Sequence, residues 1–219
     1  MSAVSPARAT ADILLDIGAV HINAGQPFTL TSGKASPVYI DGRKLIAYLN
    51  ERRAVTDMAA QLLTQICDLD NVDYIAGGET AGIAYAAFLS EALSKPMLYV
   101  RKKPKGFGRG AQIEGDLRKG AKVLLVEDLT TDGGSKIVFA DALRDAGGVV
   151  ADVFSVFFYG IYPQSEKILA DAGLRLHYLA TWADVLAAAR GRQLFAGAAL
   201  DTVEEYLKDP DGWSLAHSA

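Results

Sequence analysis

Two adjacent carboxylates, Glu127 and Asp128, stand between an apolar run at residues 123–126 and the segment Leu129, Thr130, Thr131, Asp132, Gly133, Gly134, Ser135. Four consecutive apolar residues (Val, Leu, Leu, Val) fit a strand of a parallel sheet covered on both faces. Open α/β sheets bind ligands in the crevice beyond the carboxyl ends of their strands, so the acids are expected there, just past the strand. Carboxylates in that place accept hydrogen bonds from vicinal hydroxyls or approach a divalent cation. Residues 130–135 bring hydroxyls and little bulk, so backbone N–H groups can close on a phosphate. A helix opening near Gly134 or Ser135 adds its positive end. A lone Glu-Asp pair would read as a solvated acidic turn; with the whole loop behind it, the order suits a sugar phosphate.

A second stretch complements the acids. Residues 101–110 carry Arg101, Lys102, Lys103, Lys105 and Arg109 and no acid. Removing these five cations from the formal charge of −4 leaves −9 for the rest of the chain, so the basic cluster is local. Pro104, Gly106, Gly108 and Gly110 oppose a stable helix or strand. A flexible cationic loop starting at a strand end suits a polyanion such as pyrophosphate, where a charge run elsewhere would be a solvated surface loop.

Two further pieces are weaker. Residues 28–43 hold Ser32-Gly33-Lys34 between two apolar segments, which alone reads as a hairpin turn. Residues 77–82 (Gly-Gly-Glu-Thr-Ala-Gly) follow a short strand and open a helix; the loop can offer amides to pyrophosphate, though a tight strand–helix turn explains its glycines nearly as well. His21, His177 and His217 show no ligand spacing. Cys67 lies among Leu62, Leu63 and Ile66 and reads as a buried apolar thiol.

These groups need a scaffold. Helical spacing covers residues 7–23, 51–67, 80–93, 136–146, 165–172 and 181–189, with a last helix at 203–207. Strands are expected at 74–76, 97–100, 123–126, 149–158 and 174–179, and a pair at 28–31 and 37–40. Strands alternating with helices imply an α/β fold, a doubly wound, mainly parallel sheet. The 219 residues are read as one domain, 1–219, with residues 1–45 as a helix-plus-hairpin cap over the crevice. Half the residues are hydrophobic and the charge is −4, against a general nucleic-acid binder. No run of about twenty apolar residues is present, so no membrane partner is expected. A single cysteine fits a reducing compartment, and the N-terminal residues lack a signal-peptide pattern, so a cytoplasmic location is expected.

Residues 123–135 resemble the PRPP-binding signature of type I phosphoribosyltransferases: apolar strand, two acids, two variable residues, Thr, a small residue, Gly and a small hydroxyl residue. Thr131, Gly133 and Ser135 sit close to that pattern. Glu127 replaces the usual first Asp, and Asp132 stands where a small neutral residue is common, which suggests that it points outward and caps the helix. Arg101, Lys102, Lys105 and Gly108 match the mobile catalytic loop of orotate phosphoribosyltransferases, with Phe107 where many members have His. Residues 28–43 resemble the amino-terminal hairpin of the same branch, with Thr31 where many members have a PRPP-contacting Lys. Thr80 and Ala81 occupy the positions of a frequent Tyr-Lys, and residues 157–162 lack the Arg that many members use for the orotate carboxylate.

The resemblance implies transfer of ribose 5-phosphate from PRPP to orotate, with magnesium held mainly by PRPP and no direct protein ligand to the metal. It assigns PRPP binding to Arg101, Lys102, Lys105 and residues Glu127, Asp128, Leu129, Thr130, Thr131, Asp132, Gly133, Gly134 and Ser135. Lys105, Lys102, Arg101 and Asp128 are the catalytic candidates; Thr131, Tyr39, Ile40 and Lys34 face orotate. Carboxylate recognition is left to backbone amides, Arg43 or Lys34. A homodimer sharing the basic loop is implied too. Two alternatives stay open, a type I transferase for another base and a PRPP-sensing regulator.

Overall fold

The computed structural model of the chain describes residues 4–30, 32–104 and 112–218. Helix α1 (Pro6–Asp16) is capped by Ser5, whose side chain accepts from the Arg8 N–H, with proline in the first turn. It stops well before residue 23. Gly18 turns to a φ of +65° and the chain re-emerges as strand β1 (Val20–Ile22). Val20 keeps helical spacing from Leu14 and Ile17, which is why the periodicity ran on, but the left-handed glycine ends the helix first.

The strands expected at 28–31 and 37–40 do not pair with each other. β2 (Phe28–Thr29) pairs antiparallel with β3 (Ala35–Ser36), whereas β4 (Val38–Ile40) pairs antiparallel with β1, Val20 opposite Ile40. Pro37, with no N–H to donate, divides β3 from β4. A 3₁₀ segment (Gly42–Ala47) leads into α2 (Leu49–Ile66).

The main sheet follows: β5 (Tyr74–Gly78), α3 (Ala81–Leu93), β6 (Met97–Val100), β7 (Ile113–Glu114), β8 (Lys122–Thr130), α4 (Gly134–Asp145), β9 (Val149–Phe158), α5 (Ser165–Asp171), β10 (Arg175–Thr181) and α6 (Trp182–Arg192). Its strand order is β10-β9-β8-β5-β6-β7, parallel except for β7, which runs against β6. β8 is longer than the apolar run. Glu127 and Asp128 therefore lie inside the strand, because β9 continues alongside and pairs Glu127 with Ser155, Leu129 with Phe157 and Thr130 with Phe158. The ladder satisfies backbone groups that a loop would have left to water. The closing helix also exceeds 203–207: α7 spans Gly197–Lys208, and α8 (Pro210–His217) follows, its N-cap Asp209 accepting from the Gly212 N–H at 2.9 Å.

Alternate residues of β8 enter two cores, as the period of a strand requires. Leu124 and Val126 pack with α1, α2, Trp182 and Tyr206; Val123 and Leu125 pack with Phe139, Leu143 and Leu169 on the opposite face. The first core also takes in Leu14, Val20, Val38 and Ile40, so the N-terminal elements are anchored on the sheet. Among the described residues no helix is long and apolar enough to cross a membrane.

Candidate active site

A crevice of about 880 Å³ opens where β5 and β8 end and faces the N-terminal hairpin. Glu127 and Asp128 line its floor. Glu127 is 6% exposed. Its Oε2 accepts from the Lys136 ammonium at 3.3 Å, while its Oε1 is buried with no hydrogen-bond partner among the described residues. Burial pushes the Glu127 carboxyl up; Lys136 opposes this and neighbouring Asp128 adds to it. Burial likewise raises Asp128, against the pull of Lys136, the Asp128 and Leu129 amides and Arg43. Both acids are thus held in surroundings that disfavour their charge.

Gly78 and Gly82 make room for Glu127. A Cβ at Gly78 would lie 1.8 Å from Glu127 Oε1, so no other residue fits that position with the carboxylate as placed. Glu79 accepts from the Lys102 N–H at 2.8 Å and lines the crevice with Thr80 and Ala81.

After β8 the chain turns through Gly133, at a φ of +89°, into α4. Thr131, Asp132 and Ser135 face the crevice, as does Leu129. Asp132 Oδ1 accepts from the Gly134 N–H at 3.1 Å, so it does bond the opening of α4, but it lines the crevice and does not point outward as expected. The Thr130 hydroxyl points the other way and meets Ser155 Oγ at 2.6 Å in the buried layer beneath.

The opposite wall comes from the hairpin and the segment after β9. Lys34, Tyr39, Ile40 and Arg43 line it together with Tyr159 and Tyr162. Lys34 Nζ donates to Asp211 at 2.6 Å and sits 5.3 Å from the centre of the Tyr162 ring. Arg43 donates to Asp41 at 2.7 Å and to the Tyr39 hydroxyl at 3.1 Å. A Cβ at Gly42 would come within 3.3 Å of Asp128 Oδ2, which shows how closely this wall approaches the acids. Thr31 lies outside the described residues.

Of the basic stretch, Lys102 lines the crevice. Arg101 is not among the lining residues; its guanidinium lies 3.6 Å from Glu114 on β7, and its N–H donates to Gln112. Lys105, Gly106, Phe107, Gly108, Arg109 and Gly110 lie outside the described residues. The strands that flank the stretch, β6 and β7, form an antiparallel pair, Val100 opposite Ile113.

Two features escaped sequence reasoning. Lys136 is 5% exposed and donates to Glu127, to the Leu129 carbonyl at 2.6 Å and to Ser135 Oγ at 3.2 Å. A signal existed: a cation in the first turn of a helix opposes the helix dipole and calls for an acidic partner. The other lies at the opposite end of β9, where Cys67, Asp152 and His177 bring possible ligand atoms within 4.8 Å of one another. Cys67 is only half-buried, not the fully buried thiol expected; burial, then the charge of Asp152, pushes it to about 11. Arg175 binds both oxygens of Asp152 and His177 Nε2 lies 2.8 Å from one of them, so an ion-pair network accounts for the cluster.

No family model matches the chain. An orotate phosphoribosyltransferase from Ruegeria sp. (strain TM1040) is 50% identical over 216 residues, 99% of this chain and 96% of that protein. The orotate phosphoribosyltransferase of Aeropyrum pernix superposes with a TM-score of 0.70 at 33% identity, over 85% of this chain and 99% of its own. That of Mycobacterium tuberculosis H37Rv, solved in complex with 5-phospho-α-D-ribosyl 1-diphosphate, shares the fold with a TM-score of 0.63 at 23% identity, over 82% of this chain and 99% of its own. Near-complete coverage at half identity, on a sheet whose carboxyl ends carry the paired acids and the phosphate-type loop, establishes that this chain belongs to the orotate phosphoribosyltransferase family.

Proposed function

We propose that the crevice transfers ribose 5-phosphate from PRPP to the ring nitrogen of orotate, giving orotidine 5′-phosphate and pyrophosphate. The observation that carries this reading is the buried Oε1 of Glu127, beside Asp128, which has no hydrogen-bond partner among the described residues. A buried acceptor without a protein partner is costly, and the vicinal hydroxyls of a ribose can supply the donors. The loop from Thr131 to Ser135, with Leu129 at its root, offers amides and hydroxyls to the 5-phosphate at the start of α4. The PRPP complex of the Mycobacterium tuberculosis relative supports the same ligand class here.

Lys102 faces the place where pyrophosphate departs and neutralises charge that grows on it in the transition state. Arg101 and Lys105 are assigned to the same task on family resemblance. On the far wall, Tyr39 and Ile40 cover the planar pyrimidine. Lys34 and Arg43 are the cations that face the orotate carboxylate in place of the absent arginine after β9.

Magnesium fits this donor set as a partner of the substrate. Buried Glu127, whose Oε1 has no partner among the described residues, and half-buried Asp128 can accept from hydroxyls and metal-bound water, and the ion would keep water and phosphate oxygens as its main ligands. When bound, it offsets the charge of the diphosphate. A homodimer sharing the basic loop and a cytoplasmic location complete the reading, the first on family resemblance and the second on the single cysteine. A magnesium-dependent assay of orotate consumption with PRPP, run beside a panel of purine and pyrimidine bases, tests it. Orotate turnover at least about tenfold above every other base is expected, a margin of about 1.4 kcal/mol; equal turnover of another base, or none with orotate, refutes it.

A further inference from the structure

We infer that Lys136 is a positioning residue of the sugar-phosphate site: its ammonium ties the Glu127 carboxylate, the Leu129 carbonyl and the Ser135 hydroxyl into one fixed cradle. The inference rests on the reading of the crevice as a PRPP site and adds a residue that binds none of the substrate itself.

The geometry is specific. Lys136 reaches back from the first turn of α4 across the loop that it follows, donating at 2.6 Å to Leu129, 3.2 Å to Ser135 and 3.3 Å to Glu127. An ammonium has three donors, and these contacts use all of them. They connect the strand that carries the acids to both ends of the phosphate-type loop. Glu127 stands where an aspartate is usual and has one more rotatable bond, so its carboxylate needs an external tether to keep a single orientation. Lys136 takes Oε2 and leaves Oε1 free.

Two physical arguments favour a site role over a purely structural one. A buried ion pair adds little to stability relative to apolar packing, since desolvation offsets its attraction. A lysine in the first helical turn also faces the positive end of the dipole. The charge has a use in the crevice. Among the described lining residues Asp41, Glu79, Glu127, Asp128 and Asp132 outnumber the cations Lys34, Arg43 and Lys102, an unfavourable balance for a polyanion, and Lys136 adds a cation directly on the Glu127 carboxylate.

Lys136→Met, Lys136→Arg and the neutral pair Glu127→Gln/Lys136→Met separate the possibilities in the full chain. Affinity for PRPP with magnesium is read by calorimetry, KM for each substrate by steady-state kinetics, and folding by thermal melting. Lys136→Met is expected to weaken PRPP at least about tenfold while KM for orotate stays within about twofold, and Lys136→Arg to recover part of the loss. The double variant removes the unpaired buried acid, so it is expected to melt above Lys136→Met yet bind PRPP no better. Wild-type affinity in Lys136→Met overturns the inference, as does a double variant that regains PRPP binding along with its stability. A wild-type protein that binds no PRPP removes the functional reading itself.

Discussion

Asp128 sits beside Glu127 in a pocket that favours neither charge, and that tension is measurable. Burial raises its carboxyl against the pull of Lys136, so the folded state holds the proton more tightly than the unfolded chain does. Ionising it costs stability once pH exceeds the folded value; below the ordinary carboxylate value of about 3.9 the cost vanishes, because folded and unfolded chains are both protonated. Asp128→Asn is therefore expected to raise the melting temperature at pH 8 by roughly 2–4 °C, for a gain on the order of 1 kcal/mol. The gain shrinks as melts are repeated towards pH 4, and turnover falls at least about a hundredfold. A second substitution probes the far wall: Lys34→Ala removes a charge-assisted contact and is expected to raise KM for orotate about tenfold or more, with KM for PRPP within about twofold. At this scale the paired acids and the hydroxyl loop were legible because their types and order carry the chemistry. Lys136 was missed: a cation in a first helical turn signals only that an acid is needed, while its actual partners are set by the turn geometry of the loop.

Among the elements, the strands covered on both faces were the easiest to read. Residues 123–126 and 149–158 are near-continuous apolar runs, and both form where expected. The N-terminal segment was harder. Its four strands are two or three residues long, too short for alternation to set register, and their pairing is decided by Pro37 and by packing on the sheet. The cover on that hairpin was invisible in sequence. The Ala35 N–H donates to Ser214 Oγ on α8 at 2.9 Å, a contact across 179 positions in a buried setting. Ser214→Ala leaves that N–H without a partner and is expected to cost about 1–3 kcal/mol. Thermal melting should register a drop of roughly 2–4 °C for each kcal/mol, and, on the proposed placement of the base against the hairpin, KM for orotate should rise more than KM for PRPP.

Across the whole molecule, charge is sorted by position. The formal charge is −4, yet Lys34, Arg43 and Lys102 line the crevice, so PRPP should be steered inward and kcat/KM for it should fall as ionic strength rises from about 0.01 M to 0.15 M. At the other end of the sheet, Asp152 joins β9 to β10. Burial alone would raise its carboxyl, but hydrogen bonds from Arg175 and His177, with their charge, hold it below the usual carboxylate range. A depressed carboxyl contributes stability above its unfolded value, and that stability is lost as pH falls through the folded value. Asp152→Asn is thus expected to lower stability at pH 7 and to flatten the acid limb of the unfolding curve, as measured by denaturant titration from pH 7 to pH 3. The meeting of α8 with the hairpin also orders events during synthesis. A nascent chain that has released β10 from the ribosome already owns all six strands of the main sheet and both acids, but Lys34 and Ala35 must wait for Asp211 and Ser214, 177 and 179 positions later. The wall built from β8 and the start of α4, proposed for sugar and phosphate, can mature while translation continues; the hairpin wall proposed for the base is completed only when α8 arrives.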